Sequence, residues 1–170
     1  MPVTIKQVTE AFEFFYDALH SRDFRKTLPL NKMSERELAP LVRTYLLGYF
    51  WEVAPEVRSS LPGSLTGEGS IDFVVGDVAI ELAVRRPKDP KRFLSDLHNA
   101  TEIKKLMKHK GLAVLILLDF SPKPFSDEDI ERYRDWPSLG KGNHKKTPFN
   151  VAYFYREKRE TKSIQKNIRV

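Results

Sequence analysis

The sequence predicts an α/β protein, and three observations carry that expectation. The string IDFVVGDVAIELAVRR reads as two strands folded about Gly76-Asp77. A helically spaced segment follows, from Phe93 to Lys108, with Phe93, Leu97, Ala100, Ile103 and Met107 turned inward. LAVLILLDF then runs without a polar residue until its end, the mark of a strand buried on both faces. Strand, helix and buried strand form a βαβ unit, for which a parallel, right-handed crossover is expected. The architecture is therefore a mixed central sheet flanked by helices.

The other elements follow in chain order. Thr4 to about Phe24 reads as an amphipathic helix with Phe12, Phe15, Tyr16 and Leu19 at helical spacing. Ser21 to Lys32 is a polar connection. A second helix covers Ser34 to Phe50, and Ser34 and Glu37 have capping-box spacing. Pro40 lacks the N–H of a helix interior and argues for a start nearer Ala39. Glu52 to Ser59 is a strand interrupted by Pro55, which suits an edge. LPGSLTGEG is a loop. Ser126 caps a short helix with an acidic first turn, and Phe149 to Tyr155 alternates as a last strand. Residues 1–156 are read as one domain and 157–170 as a basic tail, either a frayed helix or disordered.

Composition narrows the function classes. The chain has 170 residues, 41% of them hydrophobic, which fits one core. It has no cysteine, so disulfides, thiolate metal sites and cysteine nucleophiles are excluded. No apolar run is long enough to span a membrane. MPVTIKQVTEAF does not resemble a secretory signal, so a cytoplasmic protein is expected. The formal charge is +6, unevenly spread: 85–110 carries +6, 141–170 carries +7 and the remainder −7. Two basic segments suit a polyanionic partner such as nucleic acid, or else two solvated faces. The four histidines show no paired metal-ligand spacing, and the chain has no phosphate-binding glycine motif or nucleophile elbow. Trp51 and Trp136 read as packing or interface anchors.

A two-residue turn at Gly76-Asp77 fixes a register. Val75 then faces Val78, Val74 faces Ala79, Phe73 faces Ile80 and Asp72 faces Glu81. One face carries Ile71, Phe73, Val75, Val78, Ile80, Leu82 and Val84, all apolar. On the other, Asp72 and Glu81 are expected opposite each other with Cβ atoms about 4.5–5.5 Å apart. Their repulsion raises the apparent pKa of the pair. A hard divalent cation relieves it, and Mg²⁺ suits one or two carboxylates with waters and a phosphate. Alternatively, both carboxylates face solvent and are neutralised by Arg85 or Arg86.

Asp72, eight residues, then Glu81-Leu82-Ala83 resembles the PD-(D/E)xK nuclease superfamily. The likeness extends to the order helix, three-stranded meander, helix, buried strand over about Ser34 to Phe120. The resemblance implies a restriction-endonuclease-like fold with an αβββαβ core. It implies a nuclease that hydrolyses phosphodiester bonds in DNA through a Mg-bound water, with Mn as the alternative ion. Asp72 and Glu81 would be metal ligands, joined by the Leu82 carbonyl and by Glu37 from the preceding helix, unless Glu37 only caps that helix. Nuclease domains of this kind often dimerise, so a homodimer or larger protein complex is compatible with it.

One position departs from the pattern. The family lysine, which orients or activates the attacking water, is Ala83 here. Three explanations stay open. Arg85, two positions on, or Lys104 or Lys105 from the following helix, replaces it; Arg85 could stabilise charge but would be a poor base. Or the chain is a catalytically inactive member that binds nucleic acid or protein. Or Ala83 is an inactivating substitution. Asp96, Asn99 and Glu102, at i, i+3 and i+6, are either water-orienting groups or a solvent face. Arg86, Lys104, Lys105, Lys108, Lys141, Lys145 and Lys146 are the candidate phosphate contacts, which would position nucleic acid without reading its sequence.

Overall fold

Hydrophobic burial divides the chain into two apolar clusters on opposite faces of one sheet. The structure is a computed structural model describing residues 2–29, 33–51, 54–60, 68–135 and 148–168. Its elements are α1 (Ile5–Leu19), α2 (Arg22–Thr27), α3 (Glu35–Phe50), β1 (Ala54–Ser60), β2 (Glu68–Val75), β3 (Val78–Arg85), α4 (Ala100–Lys108), β4 (Leu112–Asp119), α5 (Asp127–Glu131), β5 (Phe149–Glu157) and β6 (Glu160–Ile168). The six strands lie in sequence order, and β3, β4 and β5 are mutually parallel while the outer pairs are antiparallel. The fold is thus mixed α/β with an open mixed sheet. Among the described residues no helix is long and apolar enough to cross a membrane.

The buried strand expected from LAVLILLDF is β4, and every residue from Ala113 to Asp119 is buried. Strand alternation sends Val114, Ile116 and Leu118 to the cluster under α1 and α3. Ala113, Leu115 and Leu117 go to the cluster under α4. Both α1 and α3 begin with capping boxes, Thr4 with Gln7 and Ser34 with Glu37. The α3 box sets the start at Glu35 rather than near Ala39, and Pro40 is accommodated inside the helix. Part of the expected polar connection forms the six-residue α2, capped by Ser21.

Two expectations are corrected. The helix predicted over 93–108 starts only at Ala100; Lys91–Leu94 is a 3₁₀ turn, and Leu97 is exposed. Asn99 explains the break, because its Nδ2 donates to the carbonyls of Phe93 (3.1 Å) and Ser95 (3.0 Å). A side chain that satisfies carbonyls of the preceding turn competes with helix there. The tail from 157 is not loose: 160–168 pair with β5 along its length, and Ile168 is buried. The β5–β6 turn places Lys158 and Arg159 both at positive φ (49° and 69°), the geometry of a type I′ hairpin.

Because β6 covers one edge of β5 and buries Ile168 against Phe149, a chain ending at Glu157 is expected to lose its cooperative urea transition. A cooperative transition with an unchanged midpoint in that truncated chain would show the hairpin to be dispensable.

Candidate functional site at the parting of β2 and β3

The hairpin keeps the expected register only near its turn. Gly76 has φ 57°, as the first turn residue of a type II′ hairpin requires. Phe73↔Ile80, Val74↔Ala79 and Val75↔Val78 pair as expected, and the ladder ends there. Beyond Phe73, β2 stays with β1, opposite Val57 and Arg58. A continued ladder would give the Leu82 N–H to the Ile71 carbonyl. Instead that N–H donates to Asp72 Oδ2 at 2.9 Å. The apolar alternation breaks at the same place: Phe73 and Val75 lie in the α1/α3 cluster, whereas Ile71 lies in the α4 cluster.

Asp72 and Glu81 are therefore not a ladder pair, yet their side chains meet. Glu81 is 1% exposed, and its carboxyl is hydrogen-bonded to that of Asp72. Lys105, itself buried, reaches in from α4: its Nζ stands 2.6 Å from Glu81 Oε1 and donates to the Ser70 carbonyl at 2.7 Å. The ammonium is close to Oε1 but poorly aligned, so Oε1 is a buried oxygen without a directed hydrogen bond. Loss of water, and then the Asp72 charge, push Glu81 up to about 9, and Lys105 only partly opposes them. At neutral pH Glu81 is therefore protonated beside the Lys105 nitrogen.

A carboxylate overlooked in the sequence joins this group. Glu35, in the first turn of α3, is raised to about 7 by its surroundings and then by Asp72 and Glu102, against Lys105. Glu35 is nonetheless exposed to solvent, which screens these effects and weakens the shift that burial would give. Glu37, the residue expected to contribute, points elsewhere. It is exposed and bound to the Ser34 N–H and hydroxyl in the capping box, which also lowers its pKa. The sequence signal for Glu35 was only its place two residues ahead of Glu37. Glu35 and Glu102 line a cleft of about 320 Å³ together with Arg86, Asp89, His98 and Asn99.

The remaining candidates separate. Arg85 is buried, and its Nη1 bonds Asp119 Oδ2 (3.3 Å) and the Lys123 carbonyl (3.0 Å), so it does not serve the carboxyl pair. Arg86 is bound to the Asp89 carboxylate through Nε (2.9 Å) and Nη2 (3.0 Å) at the cleft wall. Leu82 offers its N–H to Asp72 while its side chain lies in the core. Ala83 is buried in the apolar cluster beneath α4. Of the proposed substitutes for the missing lysine, Lys105 enters the site, and Lys104 stays partly exposed on α4, as does Lys108. Asp96 precedes the helix, Asn99 closes the turn before it, and only Glu102 of the three faces the carboxylates. Trp51 is 88% exposed rather than packed. Lys141, Lys145, Lys146 and Trp136 lie outside the described residues.

Among the described residues no group of three or more His, Asp or Glu side chains is arranged to hold a metal ion. The Asp72/Glu81 pair falls below that number, though within the one or two carboxylates that Mg²⁺ commonly takes from protein. No protein-family model, no curated protein and no solved structure matches the chain.

A carboxyl whose pKa rises on folding favours the native state only while it stays protonated. Between the unfolded value near 4.5 and about 9, the unfolded chain binds fewer protons than the native one, so stability falls as pH rises through that window. Glu81→Gln is expected to flatten this decline, measured as urea midpoints from pH 5 to 9. Parallel pH profiles for the two proteins would place an ionised Glu81 in the native state.

Proposed function

We propose that this protein is a metal-dependent, nuclease-like enzyme acting on DNA, built on a restriction-endonuclease-like fold. The order α3, β1–β3, α4, β4 supports the fold reading. The observation that carries the function is the buried carboxyl pair with an orphaned oxygen, Glu81 Oε1, beside a lysine. Hard oxygens crowded against one ammonium fit Mg²⁺ or Mn²⁺, with Asp72 and Glu81 as the residues to hold it. Such an ion would supply Lewis acidity at a phosphoryl oxygen and acidify its water.

The chain's own groups divide the remaining work. Lys105 brings positive charge to where the phosphoryl group gains negative charge. It takes the part of the lysine absent at Ala83, from a helix instead of the strand. Glu35, raised to about 7, is suited to exchange a proton near neutral pH at the cleft mouth. Arg86 lines the cleft, and it and the partly exposed Lys104 and Lys108 of α4 are the cations proposed to hold the phosphate backbone.

A second reading is favoured by one observation: Ala83 lies in the apolar cluster, and Lys105 already engages Glu81. In it the protein is a catalytically inactive member of the fold that binds nucleic acid or protein. The two readings diverge on linear, single-stranded and branched DNA. The enzyme reading expects Mg²⁺- or Mn²⁺-dependent cleavage by the native sequence, lost in Asp72→Asn and in Lys105→Met. The inactive reading expects cleavage only after Ala83→Lys, or none.

Metal binding is tested separately. An ion at about ten times its Kd stabilises by about 1.4 kcal/mol, a rise of about 3–6 °C in Tm for a domain of this size. The native chain is expected to show that rise with Mg²⁺ or Mn²⁺, larger at pH 8 than at pH 6 because the ion displaces the shared proton. Asp72→Asn is expected to abolish it. An equal rise in Asp72→Asn, or none in either protein, would remove the ion from this site.

A further inference from the structure

A second cleft, of about 640 Å³, lies beyond Pro87, at the carboxyl ends of the parallel strands β4 and β5. Arg25, Arg156, Arg159 and His20 line it, and Phe120 and Pro122 give it an apolar side.

Two of the charges in this cleft, Arg25 and Arg159, are not cancelled locally. The Asp119 carboxylate is fully buried and already committed. It accepts from Tyr153 Oη at 2.7 Å and the Ser121 N–H at 2.8 Å, and faces Arg85. Arg156 bonds Asp17 at 2.9 Å and Thr161 at 3.0 Å, and its second amino group donates to the Arg159 carbonyl. Neither Arg25 nor Arg159 has a carboxylate partner among the described residues.

The cleft also has a fixed frame. Lys158 and Arg159 are held at positive φ without glycine, and the Arg156 bond to the Arg159 carbonyl locks that turn. The turn so fixed places Arg159 at the cleft. His20 Nδ1 donates to the Tyr16 carbonyl at 2.8 Å, which orients the imidazole. The Tyr16 and Phe120 rings stack at 5.4 Å with 25° between their planes, and His20 lies 5.5 Å from Phe120.

We infer that this cleft binds a nucleotide phosphate, with the phosphoryl group on Arg25 and Arg159 and the nucleoside against Phe120 and Pro122. Guanidinium groups match phosphate oxygens in charge and planar geometry. An aromatic wall takes any base through its π-face. The volume lies within the range of small-molecule sites. The site uses none of the residues of the carboxyl pair, so it stands whether or not the protein cuts DNA.

Deoxyadenosine monophosphate is the probe, titrated calorimetrically into the full chain without divalent ions. Binding with Kd below about 1 mM is expected, and deoxyadenosine should bind at least about tenfold more weakly. Arg25→Gln and Arg159→Gln should each weaken the monophosphate by about tenfold or more at unchanged Tm, whereas Asp72→Asn should leave it unaltered. Short oligonucleotides with and without a terminal phosphate distinguish the source. Tighter binding of the phosphorylated strand than of both the unphosphorylated strand and the monophosphate assigns the site to a strand end. Binding no tighter than the monophosphate assigns it to a free nucleotide. Equal binding of nucleoside and monophosphate, no binding of either, or full binding by both arginine variants would overturn the inference.

Discussion

The Lys105 ammonium is the contact on which the arrangement around the hairpin depends. It joins α4 to β3 through Glu81 and to β2 through the Ser70 carbonyl. Burying a charge without compensation is far costlier than burying a methylene. Here one ammonium, one carboxylate and one shared proton bring the group to neutrality. Removing any member leaves an uncompensated charge away from water, so the three elements are held in place by electroneutrality as much as by packing. β2 and β3 can part because the Leu82 N–H, which leaves the ladder, finds the Asp72 carboxylate instead, while Lys105 takes the Ser70 carbonyl.

Asp119 applies a related logic at the far end of the parallel strands. It ends the buried strand β4 and is fully enclosed, and burial raises its pKa although Tyr153, the Ser121 N–H and Arg85 favour the ionised form. Tyr153, Ser121 and Arg85 divide its two oxygens among three structural contacts. Tyr153 in turn accepts from the Phe125 N–H at 2.6 Å, tying the chain after β4 to β5. The polar network at the strand ends is thus satisfied internally, and the arginines around it are left to face the open cleft.

Much of this was legible in the sequence where one local pattern sufficed. The β4 run, the βαβ order and the first three hairpin pairs follow from period and turn chemistry alone. The failures share a cause: each involves a choice between partners that local pattern does not encode. Asp72 left the ladder because β2 follows β1 after Phe73. Glu37, rather than Glu35, was expected at the site because capping-box and ligand roles call for the same residue type at similar spacing. Arg85 shares strand parity with Glu81 but lies where Asp119 needs a cation. β6 was missed because Lys158-Arg159 adopts a turn normally announced by asparagine or glycine. Lys105 was one of two adjacent lysines; it lies one turn from Glu102, toward the hairpin, and its long stem completes the crossing.

The two margins of the sheet are both poorly suited to receive another strand. β1 carries Pro55, which has no N–H to offer a new neighbour. β6 carries Lys162 and Lys166, and its Asn167 carbonyl already receives Arg134 at 3.5 Å. Charged and proline-bearing margins resist the docking of a further strand. Copies of this chain are thereby discouraged from fusing their sheets into one continuous ribbon, and a pairing of two copies would have to be made through helices and clefts.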